Sequence, residues 1–266
     1  MRAAQFQLAL VSWTKTMAIL IPRNRTTFLQ RSRRLHADKV LSLRRESLVL
    51  ALLLDESGGT VAYNAEGTLD RNGAYVNAVP GAQIFLDGSP APVLDGTGDY
   101  INLYSASLNA ALSAVSYGEV TINLFQIVSA AADWTDGINH RALEIAADGS
   151  NTFRFTKSAN NQYQIQYTAG GTADAIAVTH SSIDWTCMGM VVSKSGDTMK
   201  AFVNGVQQGA TQTGIGTWAG ALASTSCVLG AANTSAVVPW KGSFKYLTIH
   251  SIAFTNDEMA YMGKLA

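Results

Sequence analysis

Carboxylates, histidines, cysteines and amide-bearing loops are the parts of this sequence that could do chemistry. Hydrolysis of a glycosidic bond needs two carboxyl groups facing one groove, one as acid and the other as base or nucleophile. Alternate positions on one strand would point them the same way. No Glu-x-Asp-x-Glu or Glu-x-Asp-x-x-Glu run occurs. Glu144 and Asp148 are four residues apart, which sends Asp148 into the Gly149-Ser150 turn. Asp55-Glu56 and Asp257-Glu258 are adjacent pairs and read as turn or helix-capping carboxylates. His36, His140, His180 and His250 show neither metal-ligand nor triad spacing, and a Gly-x-Ser-x-Gly elbow is absent. Cys187 and Cys227 sit in apolar, strand-like runs; they read as two buried thiols or one bridge, not as a metal site. An enzyme is not expected. Two short segments stand out instead. Trp134-Thr-Asp136-Gly-Ile-Asn139-His140 gathers an indole, a carboxylate, an amide and an imidazole, and Asp95-Gly-Thr-Gly-Asp99 sets two carboxylates around two glycines.

The elements that must position these residues are strands almost throughout. Leu48–Leu54 is an apolar run stopped by Asp55-Glu56-Ser57-Gly58-Gly59. Short apolar or alternating segments follow at Ala82–Leu86, Tyr100–Tyr104, Glu119–Val128, Ala142–Ala146, Thr152–Thr156, Ala175–Thr179, Cys187–Val192, Met199–Val203, Cys227–Leu229 and Phe244–Phe254. In Gln162–Tyr167 the alternation is strict, with Tyr163, Ile165 and Tyr167 on one side and three glutamines on the other. Asn204-Gly205 between two such runs predicts a two-residue hairpin, because both residues accept positive φ. Ala-rich Leu108–Val115 predicts one or two helical turns, and Thr255-Asn256-Asp257-Glu258 has capping-box spacing for a short final helix. Many short strands with turn signals between them predict an all-β antiparallel sandwich.

The 266 residues are 47% hydrophobic and 14% charged, with 19 basic and 19 acidic side chains. A neutral total would argue against an electrostatic partner, but the charge is divided. Residues 1–46 hold ten basic and two acidic groups, a balance of +8, and residues 47–266 hold nine and seventeen, a balance of −8. The chain therefore reads as a basic N-terminal arm over 1–46 and one sandwich domain over 47–266. The arm does not read as a secretion signal, since Gln5, Gln7 and Lys15 interrupt its apolar stretch and arginines follow. Met17 opens MAILIPRNR and reads as an alternative start. No apolar run approaches the roughly 18 residues of a membrane helix, so no membrane partner is expected.

Taken in order, LVLALLLDESGGTVAYNAEG, VLDGTGDYINL, EVTINLF, DWTCMGMVVSKSGDTMKAFVNGVQQGA, VLGAAN and WKGSFKYLTIHSIAFTNDEMAYM resemble the laminin-G-like or concanavalin-A-like lectin jelly-roll domains. The resemblance covers about residues 47–262 and implies two curved sheets with turns clustered at their ends. It also implies carbohydrate binding, with aromatic faces on sugar CH groups and hydrogen bonds from Asn and Asp. On that basis Trp134, Asp136, Asn139 and His140 are candidate carbohydrate-binding residues. Asp95 and Asp99 are candidate ligands for Ca²⁺, and no other cofactor is expected.

The arm adds a second expectation. Its Ile-Pro-Arg-Asn-Arg leading into an Arg-Ser-Arg-Arg segment is similar in type to attachment arms of bacteriophage virion proteins. The expected role is a non-enzymatic structural protein of a viral particle, a head decoration or tail component. Arg23, Arg25, Arg31, Arg33 and Arg34 would anchor it to neighbouring capsid or tail subunits, as a homo-oligomer with the sandwich displayed and open to a glycan. Direct contact with nucleic acid is not expected, because the shell would intervene. The alternatives are a secreted, extracellular carbohydrate-binding module and, last, a polysaccharide-active glycosidase.

Overall fold

Alternation along each strand decides which side chains meet across the sandwich. In the computed structural model, which describes residues 37–264, the strands form two eight-stranded sheets. Numbered in chain order, one sheet runs β14 (Val206–Thr213), β13 (Thr198–Val203), β12 (Thr186–Ser193), β7 (Glu119–Val128), β16 (Lys241–His250), β5 (Pro90–Asp95) and β4 (Val79–Ile84), with β1 (Leu48–Leu52) also paired to β16. The other runs β11 (Thr172–Thr179), β10 (Gln162–Ala169), β9 (Asn151–Ala159), β8 (His140–Asp148), β15 (Cys227–Leu229), β6 (Tyr100–Asn102), β3 (Gly73–Val76) and β2 (Val61–Ala62). Pairings between these strands are antiparallel. The all-β sandwich expected from the sequence is the observed architecture.

The core lies between the sheets. Val120, Ile122 and Leu124 of β7 and Met188, Met190 and Val192 of β12 face Phe153 and Phe155 of β9 and Tyr163, Ile165 and Tyr167 of β10. The three glutamines of β10 alternate to the outside. Asn204 and Gly205 both take positive φ, 49° and 76°, as the hairpin between β13 and β14 requires.

The central strands of the first sheet are buried on their outer face as well, which explains why β7 and β12 read as nearly continuous apolar runs. Phe125, Cys187, Val191, Phe202 and Tyr246 pack there under Met259 and Met262 of α3 (Asn256–Gly263), the helix that follows α2 (Ala106–Ser113) in the chain. Val40 joins the same cluster from α1, whose described part is 37–42, and it is fully buried. Leu43 packs against it too. The end of the segment set apart by charge is thus built into the body, because removing the Val40 side chain from water stabilises it there whatever its charged neighbours in sequence. Arg44 Nε donates to Glu258 Oε1 at 2.5 Å and ties this root to α3. Cys187 and Cys227 are free thiols, one in each buried cluster, and burial pushes both up to about 12, so neither is poised as a nucleophile. Among the described residues no helix is long and apolar enough to cross a membrane.

His250 gives this outer cluster a pH dependence. Its Nδ1 lies 3.2 Å from Ser47 Oγ, which itself donates to the Arg44 carbonyl, while Nε2 is buried without a partner. Burial drives the imidazole down to about 4, against the upward pull of the Arg44 backbone and the Glu258 charge. A folded-state value below the unfolded one means that the unfolded chain binds the extra proton. Stability is therefore full above about pH 6.5 and falls as pH drops towards 4, by roughly 3 kcal/mol. Urea unfolding measured from pH 7 to pH 4 should show this slope, and His250→Phe should flatten it.

Candidate functional site

Several connections meet at one end of the sandwich, and they bring the two segments singled out in the sequence to the same rim. Lys241, the first residue of β16, pairs with Asp95 at the end of β5. Its Nζ donates to Asp133 Oδ1 at 2.9 Å, and its backbone carbonyl accepts from Ser129. The Asp95–Asp99 turn and the loop over residues 129–139 therefore flank one strand start.

Within the 129–139 loop, a short 3-10 turn over Ala131–Trp134 is closed by Asp133, whose Oδ2 accepts from the Ala130 amide at 2.8 Å. Trp134 ends that turn, and the expectation that its indole offers an open stacking face is corrected here. The residue is 2% exposed. Its Nε1 donates to the Ser182 carbonyl at 2.9 Å, and its ring meets His180 edge-on at 5.0 Å. The Trp134 carbonyl accepts from Asn161. The indole thus pins this loop to the connection between β11 and β12, and the backbone of the same residue ties it to the turn between β9 and β10.

Asp136 is the electrostatic centre of the rim. Its Oδ1 accepts from the Ile138 amide at 2.9 Å and from Lys157 Nζ, and its Oδ2 lies 2.6 Å from His140 Nε2. Lys157 also donates to the Ile138 carbonyl at 2.7 Å, and its side chain is fully buried. His140 Nδ1 lies 2.7 Å from the Pro239 carbonyl, which draws in the connection between β15 and β16. Burial pushes the Asp136 carboxyl up, but the hydrogen bonds from Lys157, His140 and Ile138 outweigh it and bring the group down to about 2. Gly137 turns the chain with φ of 72° and donates to Asn160 Oδ1 at 3.1 Å.

What the loop leaves outside is Asn139, Asn160 and Ile138, the last of them 59% exposed. Val237 is also exposed and sits two residues from Pro239. The rim thus offers amides and small apolar surfaces around an ionised carboxylate that is already neutralised. Such groups can hydrogen-bond hydroxyls and cover sugar CH groups.

Asp95 and Asp99 turn their oxygens to their own turn. Asp95 Oδ1 accepts from the Thr97 amide at 2.6 Å, and Asp99 Oδ2 accepts from the Asp95 amide at 2.7 Å. Ca²⁺ takes six to eight oxygens, and among the described residues no three His, Cys, Asp or Glu side chains converge. Each carboxylate spends one oxygen on a backbone amide of its own tight turn. Arg23, Arg25, Arg31, Arg33 and Arg34 lie outside the described residues.

Motif spacing passes over Lys157, although this residue organises the loop. A signal exists in the sequence: Phe153, Phe155 and Lys157 share one parity in β9, and a lysine on an apolar face needs a buried acceptor.

Comparison with known proteins agrees with this architecture. Residues 94–260 match the family described as the concanavalin A-like lectin/glucanases superfamily. No curated protein matches the chain by sequence. Among solved structures, the receptor-binding domain of botulinum neurotoxin C/D mosaic serotype superposes with a TM-score of 0.60 at 13% identity, over 82% of this chain and 51% of that one. The binding domain of botulinum neurotoxin serotype D gives 0.59 at 13% identity, over 85% and 52%. The chain spans about half the length of these toxin domains. Domain 4 of AbnA, an extracellular arabinanase from Geobacillus stearothermophilus, solved in complex with arabinotriose, gives 0.54 at 17% identity, over 82% and 98%. At these identities the likeness is one of fold.

Proposed function

The chain belongs to the concanavalin A-like lectin/glucanases superfamily, and from that premise we propose that it is a non-catalytic glycan-binding module that uses the rim around Asp136 and Asn139. The observation that carries this reading is the state of Asp136. Lys157 and His140 hold it ionised, at about 2, where a glycosidase acid must be raised to keep its proton. A fixed, neutralised carboxylate beside the exposed Asn139 amide suits hydroxyl recognition better than proton transfer. The AbnA domain, with its bound arabinotriose, supports a saccharide as the partner of this kind of fold.

The test is calorimetric titration of the protein with arabinotriose and with the leading members of a glycan array. Asn139→Ala should weaken the bound glycan about tenfold, as the loss of one well-made hydrogen bond does. Absence of glycan binding, or release of reducing sugar from a polysaccharide, would overturn the reading.

The finer assignment is to a viral particle, as a head decoration or tail component. It is supported by the +8 and −8 division of the chain at residue 46, which lets the basic segment of one subunit be attracted to the acidic body of another. Replacing Arg23, Arg25, Arg31, Arg33 and Arg34 together by Gln in the full chain should leave a folded sandwich that no longer joins the particle. Unchanged incorporation would remove this placement and leave the glycan reading intact.

A further inference from the structure

The outer face of the second sheet carries positive charge that its own partners do not balance. In the pairing of β8 with β9, Glu144 stands opposite Arg154 and Arg141 opposite Thr156. β10 places Gln164 beside Thr156 and Gln166 beside Arg154. Phe153 and Phe155 turn into the core, so these residues share the opposite face. Arg154 donates through Nε and one terminal nitrogen to the two oxygens of Glu144, each at 2.9 Å. Arg141 donates to the same carboxylate at 2.5 Å. One carboxylate, 6% exposed, therefore serves two guanidinium groups.

Two further observations show where the deficit lies. The Nε–H of Arg141 and the Oγ1 of Thr156 opposite it are both buried without a hydrogen-bond partner. Arg154 keeps 26% of its side-chain surface, and its fork with Glu144 leaves the second terminal nitrogen unused. Burial lowers Arg141 to about 10, and the like charge of Arg154 adds to this against the pull of Glu144. A planar guanidinium at the surface, short of one anion and bordered by the Gln164 and Gln166 amides, matches a carboxylate in both charge and geometry.

We infer that Arg154, with Arg141 behind it and Gln164 and Gln166 beside it, forms a subsite for the carboxylate of an acidic oligosaccharide. The saccharide class rests on the glycan reading above, and placement supports it. Arg141 directly follows His140 in β8, so the subsite and the rim draw on the same strand. The neighbouring side chains are uncharged hydrogen-bonding groups, which suit sugar hydroxyls.

The test is titration calorimetry of the full-length protein with trigalacturonic acid and with its methyl ester, which is neutral. The acid should bind at least tenfold more tightly at low salt, and the preference should shrink as salt is raised. Arg154→Met should abolish the preference without unfolding the protein, since Glu144 keeps Arg141. Arg154→Lys, which retains the charge but not the fork, should keep only part of it. Equal affinity for acid and ester, or a preference that survives in Arg154→Met, would overturn the subsite. Tighter binding of a glutamate-rich peptide than of trigalacturonic acid would overturn the saccharide assignment. The two proposals fail separately. Ester binding that is lost in Asn139→Ala, with no preference for the acid, retains the rim and removes this subsite. Acid binding that needs Arg154 but ignores Asn139 does the reverse.

Discussion

Asp136→Asn is expected to lower the unfolding free energy by on the order of 3 kcal/mol, because it strands a buried cation. Lys157 is fully buried, and its ammonium has the Asp136 carboxylate and the Ile138 carbonyl as acceptors. An amide in place of the carboxylate removes the compensating charge and leaves the desolvation cost of the lysine in place. The partial exposure of Asp136, 25% of its side chain, keeps the loss at the lower end of what breaking a buried ion pair costs. The contrasting variant is Lys157→Met. It removes the cation, fills the same space and leaves Asp136 with His140 and the Ile138 amide, so it should cost much less. Urea denaturation of the two variants side by side measures the difference. Equal losses would mean that the ion pair is not what holds the loop. For function, both variants should weaken glycan binding if the loop's geometry matters, whereas Asn139→Ala should weaken it without a stability change.

Trp218→Ala should cost more, about 3–5 kcal/mol, and lower the melting temperature by roughly 10 °C. Trp218 lies in the connection between β14 and β15, which closes the end of the sandwich away from the candidate rim. Its ring stacks on Tyr117 at 4.6 Å and on Phe153 at 5.0 Å, with Tyr167 at 6.2 Å and all three near parallel. Its Nε1 donates to the Gly220 carbonyl at 3.1 Å. Nearby, the backbone of Gly216 passes so close to β10 that an added Cβ would stand 1.8 Å from the Ala169 carbonyl oxygen. A connection seated this tightly cannot move in to fill the space of a lost indole, so the cavity term adds to the lost burial. Because the residue is remote from the rim, glycan affinity at a temperature where the variant is folded should be unchanged. A scanning calorimetry trace and one titration check both parts.

Much of this protein is legible without any tertiary contact. Period-two alternation places Tyr163, Ile165 and Tyr167 on the core face and the glutamines outside, and the structure has them so. Asn204-Gly205 and the Thr255–Glu258 capping box work as their residue types predict, since turn and cap chemistry is local. β3 leaves no such signal: Gly73–Val76 is four residues long and too short for a pattern. Leu108–Val115 reads as helical, and the helix starts slightly earlier, at Ala106, capped by Ser105.

The candidate site residues divide along the same line. Local spacing singles out the segment from Trp134 to His140 as a candidate, because it gathers an indole, a carboxylate, an amide and an imidazole. It cannot say which of them is exposed. Trp134 is turned inward and Asn139 outward, since the choice depends on Ser182, His180 and Asn161, which reach the loop from distant parts of the chain. Val40 likewise is an apolar residue inside a basic run, and only the cluster on the outer face of the first sheet gives it a place. Composition and alternation determined the class of fold and the division of charge, because both are properties of neighbours in sequence. The tertiary structure alone decided that Lys157 neutralises Asp136 and that Glu144 is shared by two arginines. Pairing of buried charges is set by strand register across separate segments, and no local pattern encodes it.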